Sequence, residues 1–61
     1  MRLIDLLNET LYGQRVTVEF ECGIIAGTPQ VLLKTLDVDV ASVEIRSISA
    51  IDNVLKVVAE G

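Results

Sequence analysis

The sequence contains no histidine and no tryptophan, and it has only one cysteine and one proline. Without histidine, neither the usual base that activates a nucleophile nor a Cys/His metal cluster is available. The single cysteine, Cys22, excludes an intrachain disulfide. Because Cys22 alternates with core-type residues, we expect a buried small hydrophobic side chain and not a nucleophile. The composition therefore predicts that the protein is not an enzyme, has no catalytic residues and holds no metal or cofactor.

Positive charge and aromatic rings are also scarce. Five lysines and arginines stand against nine acidic residues, for a formal net charge of −4, and no two basic residues are adjacent. Binding to a phosphate backbone usually relies on clustered cations, and binding to single strands on several exposed rings. Tyr12 and Phe20 are the only aromatic residues. A single chain is therefore poorly equipped for nucleic acid, although a ring could gather one arginine per subunit at its centre.

Long hydrophobic runs are missing as well. No run approaches the roughly 18 apolar residues that a membrane span requires. Asp5 and Glu9 interrupt the apolar N-terminal stretch, which argues against a signal peptide. A free thiol is typical of a reducing compartment. These features predict a cytoplasmic protein that has no membrane partner.

Apolar residues are abundant for the size of the chain. The 61 residues are 51% hydrophobic, and they predict one domain covering residues 1–61. A domain of this size buries only about 60% of the surface that its unfolded chain exposes. The surplus of apolar residues indicates that a neighbouring subunit covers part of them. We therefore expect a homo-oligomer.

The first element predicted is a helix over residues 3–11. Ile4, Leu7 and Leu11 recur at helical spacing, and Gly13 follows as a stop signal. A helix of about ten residues is not stable in isolation, so it must pack on the rest of the domain. We expect Leu7 and Leu11 to make that contact.

Beyond Gly13 the hydrophobic period changes from helical to alternating, which is typical of strands. Strands are predicted at residues 15–22, 24–26, 31–36 and 40–46, and a fifth from residue 50, with a turn at 27–30 and a corner at 47–49. Asp52 and Asn53 form a tight turn or a kink, and the tail from Val54 is either a strand or a helix. The pattern predicts a mainly β fold: a small five-stranded antiparallel barrel with an N-terminal helix.

Residues 16–27, 31–34 and 43–51 resemble three segments of the Sm-like family, most closely of its bacterial Hfq-like branch. Residues 16–27, with paired glycines at Gly23 and Gly27, are similar to the family's first two strands. Residues 31–34 are similar to its third strand, and residues 43–51 to its second motif of strand, corner and strand. The segment after Gly27 is shorter than in typical members and lacks a counterpart of their RNA-contacting loop. The resemblance implies an N-terminal helix on a bent five-stranded barrel, a ring and single-stranded RNA binding; other SH3-like barrels remain an alternative.

Arg46, Ser47 and Lys34 are the candidate RNA-binding residues that this resemblance implies. In a ring, Arg46 at the end of its strand would repeat around the pore, where a guanidinium suits phosphate oxygens and bases. The alternative is a surface arginine in an ion pair with Glu44 or Asp52. The same alternative applies to Lys34.

Two pairs of acidic residues are candidates for cation binding, namely Glu19 with Glu21 and Asp37 with Asp39. A calcium site normally needs more oxygen ligands, and the spacing does not match an EF-hand. A solvated strand face and a hairpin tip account better for these pairs.

Two functions follow from the sequence. The first is a ring-forming Sm-like protein that binds single-stranded RNA. The second is an oligomeric structural or protein-interaction module that does not bind RNA, which suits the acidic net charge. In both hypotheses the protein's first partner is itself.

Overall fold

The computed structural model describes residues 1–60. Its elements in chain order are helix α1 (Leu3–Glu9), strands β1 (Arg15–Phe20) and β2 (Gly23–Gly27), helices α2 (Pro29–Thr35) and α3 (Val38–Ala41), and strands β3 (Ile45–Ile51) and β4 (Val54–Ala59). The N-terminal helix and the predominance of strands agree with the sequence analysis.

The strands form one four-stranded sheet in the order β2-β1-β4-β3. The hairpins β1–β2 and β3–β4 are antiparallel, and they join at the centre through the parallel pair β1–β4. The prediction of five antiparallel strands is therefore wrong, since the sheet has four strands and is mixed. A closed barrel would need β2 to pair with β3. The strand pairings of residues 1–60 do not include that pair, so β2 and β3 are the two edges of the sheet.

The strand predicted at residues 31–36 is instead helix α2. Pro29 occupies its first turn, where a proline suits a helix because the first backbone N–H groups have no acceptor within it. Leu32, one turn further, is buried, and Thr35 donates a hydrogen bond from its hydroxyl to the carbonyl of Val31 at 2.7 Å. The Val31–Leu33 stretch is apolar at every position, a pattern that fits a strand and a buried helix alike.

The C-terminal half also differs from the prediction. The strand predicted at residues 40–46 is wrong in its first part, because residues 38–41 form α3 and β3 begins only at Ile45; the predicted corner at 47–49 lies inside β3. An irregularity in the ladder does occur nearby, as a bulge between Ile45 and Ser47. Asp52 and Asn53 have φ of 52° and 65°, which is the type I′ geometry of a two-residue hairpin. The tail from Val54 is therefore a strand.

Helix α1 packs on the sheet through its first two turns only. Leu3 and Leu7 are 0% and 1% exposed, whereas Leu11 lies beyond the helix and is 78% exposed. The prediction that Leu11 docks is wrong because the helix ends at Glu9. The Thr10 hydroxyl donates to the carbonyl of Leu6 at 2.6 Å there, which helps to terminate the last turn.

Both longer helices cover the same face of the sheet. The core joins side chains of α1 and α2 to alternate residues of the two central strands: Leu3, Leu7, Val16, Val18, Leu32, Val57 and Ala59. We call this the helix-side face. The opposite face, which carries Thr17, Glu19 and Lys56, is the open face, and no helix of residues 1–60 contributes to a core against it.

Candidate interaction surface

Arg46 lies at the bulge of β3 and is exposed. It lines a shallow polar depression of about 240 Å³ together with Glu21, Ala59 and Glu60. The depression thus contains two acidic residues besides Arg46, and their negative charge reduces the positive potential that a phosphate group would meet there. The ion pairs among residues 1–60 are Met1–Glu44 and Lys56–Glu19, so neither of the pairs predicted for Arg46 occurs within the chain.

The other two candidate RNA-binding residues lie on surfaces of their own. Lys34 is exposed in the last turn of α2, and Ser47 is exposed on β3 opposite Val58. The depression that Arg46 lines includes neither of them. Within one chain, the structure thus does not bring these three residues together around a common cleft.

The acidic pairs are dispersed. Glu19 lies on β1 and makes an ion pair with Lys56 at 3.7 Å, whereas Glu21 lies in the turn after β1. Asp37 is the N-cap residue of α3, and Asp39 belongs to that helix. Residues 1–60 contain no group of three or more acidic or cysteine side chains placed to hold a metal ion.

Cys22 is exposed, which overturns the prediction of a buried side chain. Strand β1 ends at Phe20, so Cys22 falls in the turn and not in the alternating pattern of the strand. It contributes to the rim of a largely apolar cleft of about 370 Å³ between the β1–β2 hairpin and the segment around α3. The cleft is lined by Phe20, Cys22, Ile25, Leu36, Asp39, Val40 and Val43.

Strand β3 is the longer of the two edge strands, with seven residues against five in β2. From Arg46 onward each of its residues is exposed. Its beginning is covered by the N-terminal segment: the N–H of Ile45 donates to the carbonyl of Met1 at 2.9 Å, and the N–H of Leu3 donates to the carbonyl of Val43 at 2.9 Å. The open part of this edge is therefore residues 46–51, which we call the β3 edge.

The direction of the backbone groups along the β3 edge follows from its hairpin. In a two-residue type I′ hairpin the flanking residues, Ile51 and Val54, form a hydrogen-bonded pair. Hydrogen-bonded pairs alternate along an antiparallel ladder, so Ser49 also directs its N–H and C=O toward β4. Ile48 and Ala50 direct theirs away from the sheet. These two residues present the free donors and acceptors of the edge.

Beyond the bulge at Arg46, the β3 edge lacks the usual protection against pairing with another chain. Edge strands are commonly blunted by lysine, by proline or by charged side chains that point inward. Between residues 46 and 51 the only charge is Arg46, at one end, and there is no proline or glycine. Ile48 and Ile51 are 46% and 59% exposed. The edge thus combines free backbone groups with exposed apolar side chains.

An apolar cleft of about 380 Å³ borders the same edge. It lies between the end of α1 and the tip of the β3–β4 hairpin and is lined by Thr10, Leu11, Gln14, Ala50, Asn53, Val54 and Leu55. Ala50 lies opposite Leu55 and Ile48 opposite Val57, so both β3 residues belong to the helix-side face. Neither helix covers this part of the face, since Ile48 and Ala50 are exposed.

Comparison of the chain with protein-family models, with curated proteins and with solved structures finds no match. The Sm-like resemblance therefore rests on the sequence segments alone and stays a prediction. Of its three segments, residues 16–27 do form two paired strands, whereas residues 31–34 are helical. Among the described residues, no helix combines the length and apolarity needed to cross a membrane.

Sequence reasoning missed the β3 edge as a site because it placed a corner at residues 47–49. One signal was present: Ile48 and Ile51 are β-branched, and Arg46 is the only charge from residue 45 to residue 51. That composition favours an uninterrupted strand. The exposure of the strand, however, depends on its place at the edge of the sheet.

Proposed function

We propose that the protein is a self-assembling protein-interaction module, in which the β3 edge adds a strand from another copy of the chain. The observation that supports the proposal is the run of unprotected, exposed residues from 46 to 51, whose outward backbone groups at Ile48 and Ala50 have no partner among residues 1–60. Strand addition supplies those groups with hydrogen bonds and covers apolar side chains at the same time.

The composition supports the same proposal. A chain of 61 residues with 51% hydrophobic content exposes large apolar side chains at several places, including Leu11, Ile48 and Ile51. These three border the β3 edge or the cleft beside it. Association through this edge covers all three side chains. Exposed apolar patches generally mark such interaction surfaces.

Single-stranded RNA binding in a ring is the second candidate function. Its support is the Sm-like resemblance, together with Arg46 at the start of the open edge. The carboxylates of Glu21 and Glu60 beside Arg46, and the net charge of −4, weigh against it. We therefore rank assembly above RNA binding. A cytoplasmic location is proposed separately, because a free thiol is typical of a reducing compartment.

Sedimentation velocity of the wild type and two variants tests the proposal. The wild type should sediment faster than a monomer at micromolar concentration. Ile48→Lys puts a charge on the β3 edge and should give a monomer, because lysine at an edge opposes pairing. Ile24→Lys is the matched control on β2, where Ile24 is 64% exposed, and it should leave the assembly unchanged.

A monomeric wild type would refute the assembly proposal. Dissociation by Ile24→Lys as well as by Ile48→Lys would show that β3 pairs with β2 of the next copy, which is the head-to-tail contact of a ring. Filter binding with oligo-U and oligo-A at two salt concentrations tests RNA binding separately. Salt-dependent RNA affinity that Arg46→Ala lowers would put the RNA function first.

A further inference from the structure

We infer that the β3 edge pairs with β3 of a second copy, antiparallel about a twofold axis at Ser49, so that Ile48 faces Ala50 of the partner subunit and Arg46 faces Asp52 of the partner subunit. This inference rests on the proposed assembly and adds the partner strand, its direction and its register. The product is a symmetric dimer with one continuous eight-stranded sheet.

The backbone restricts the register. In an antiparallel pair only residues whose N–H and C=O point across the interface can exchange hydrogen bonds, and on this edge those are Ile48 and Ala50. An axis at Ser49 sets each of them against the other, so both participate. An axis at Ile48 sets Ala50 against Arg46, whose backbone is irregular at the bulge. An axis at Ala50 sets Ile48 against Asp52, which is in a left-handed turn conformation. In either register one of the two hydrogen-bonding residues lacks an extended partner.

The side chains on the helix-side face fit the same register. Ile48 is large and 46% exposed, and its counterpart in the partner strand is the small Ala50. Ala50 lines the apolar cleft beside Leu11 and Leu55. The partner's Ile48 therefore arrives next to this cleft, where it meets apolar surface that the single chain leaves uncovered.

Charge complementarity is the third argument. Arg46 and Asp52 stand near the two ends of the β3 edge, and neither belongs to the two ion pairs found among residues 1–60. With the axis at Ser49, Arg46 of each copy lies near Asp52 of the other, which makes two equivalent charge pairs; no ladder hydrogen bond joins these residues, because Arg46 is at the bulge and Asp52 is in the turn. The other edge strand, Gly23–Gly27, carries no charge and has a glycine at each end, so β2 offers no comparable self-complementarity.

Charge reversal tests the register directly. Arg46→Glu sets a carboxylate against the partner's Asp52, and Asp52→Arg sets a second guanidinium against the partner's Arg46. Each variant alone should therefore associate about tenfold more weakly at low salt. In a mixture of the two variants, each acidic side chain lies opposite a basic one. The mixed dimer should regain approximately the wild-type affinity, as measured by sedimentation equilibrium.

A cysteine at the axis is the second variant, because Asp52→Arg strains a residue with φ of 52°. In a Cys22→Ser background, Ser49→Cys sets two thiols in a non-hydrogen-bonded pair across the axis, at a separation that suits a disulfide. Mild oxidation should give a covalent dimer. Ser47→Cys is the control, since its thiols lie four residues out of register and should stay free.

The outcomes separate this inference from the proposed function. A wild type that is monomeric overturns both. Suppose that the wild type associates and that Ile48→Lys dissociates it. If the charge-reversed variants then fail to recover on mixing and Ser49→Cys fails to cross-link, the register is overturned, whereas assembly at the β3 edge remains supported. Recovery on mixing, together with cross-linking at residue 49 and not at residue 47, establishes the register.

Discussion

Truncation of Leu7 is the most direct test of how this small domain is held together. Leu7 is 1% exposed and belongs to the one cluster of buried side chains that joins α1 to the two central strands. Leucine-to-alanine changes at such sites cost about 2–5 kcal/mol, and the value grows with the cavity that remains. At roughly 0.05–0.15 kcal/mol per residue, a chain of 61 residues has a total stability of about 3–9 kcal/mol. At the middle of these two ranges, Leu7→Ala should therefore remove about half of the stability.

Urea unfolding followed by circular dichroism measures the effect, with both variants made in the Ile48→Lys background, because a monomeric protein excludes the contribution of association at Leu11 to the apparent stability. Leu11→Ala is the matched control, since it removes the same atoms from a side chain that is 78% exposed. It should change the free energy of unfolding by less than about 0.5 kcal/mol. If the two variants lost similar free energies, α1 would not pack on the sheet through Leu7.

Two further predictions concern turns. Cys22 is exposed in the β1–β2 turn, so a thiol reagent should modify it in the native protein about as fast as in the urea-unfolded protein; strong protection would show that the side chain is covered. Asn53 has φ of 65° at the second position of a type I′ turn. Glycine adopts this conformation without strain, so Asn53→Gly should leave the melting temperature unchanged or raise it. Asn53→Val should lower the free energy of unfolding by about 1–2 kcal/mol. Equal melting temperatures for the two variants would contradict the left-handed conformation.

Arg46 has a role in both function hypotheses, and the property that Arg46→Ala changes distinguishes them. In the RNA hypothesis its loss lowers RNA affinity and flattens the salt dependence while the oligomer persists. In the inferred β3–β3 dimer its loss weakens the contact with the partner's Asp52, and the oligomer dissociates more readily. Arg46→Ala examined by filter binding and by sedimentation on the same sample thus reports on both functions.

The short-range patterns of the sequence predicted several elements correctly. The alternation that starts at residue 15 is β1, the helical spacing around Leu7 is α1, and the Asp52-Asn53 pair is a turn. In the first two segments the hydrophobic period indicated the conformation, although the helix and the strand each end two residues earlier than predicted, and at Asp52-Asn53 the sequence had left a turn and a kink as alternatives. Within the predicted strand 31–36 there is no such period, because residues 31–33 are apolar at consecutive positions. Pro29 was the local signal for a helix there, since its ring suits the first turn.

By itself, then, the sequence determined the local elements wherever the hydrophobic period, the turn residues and the glycines or prolines favour the same conformation. The absence of histidine is a fact of the sequence, and the expectation that the protein is not an enzyme stays a prediction. Only the tertiary structure decided that β1 pairs in parallel with β4, because that contact joins segments far apart in the chain and depends on which faces α1 and α2 cover. The same arrangement leaves β3 at an edge. The exposure of Ile48 and Ala50 is therefore a consequence of strand order, which no local pattern of residues 45–51 encodes.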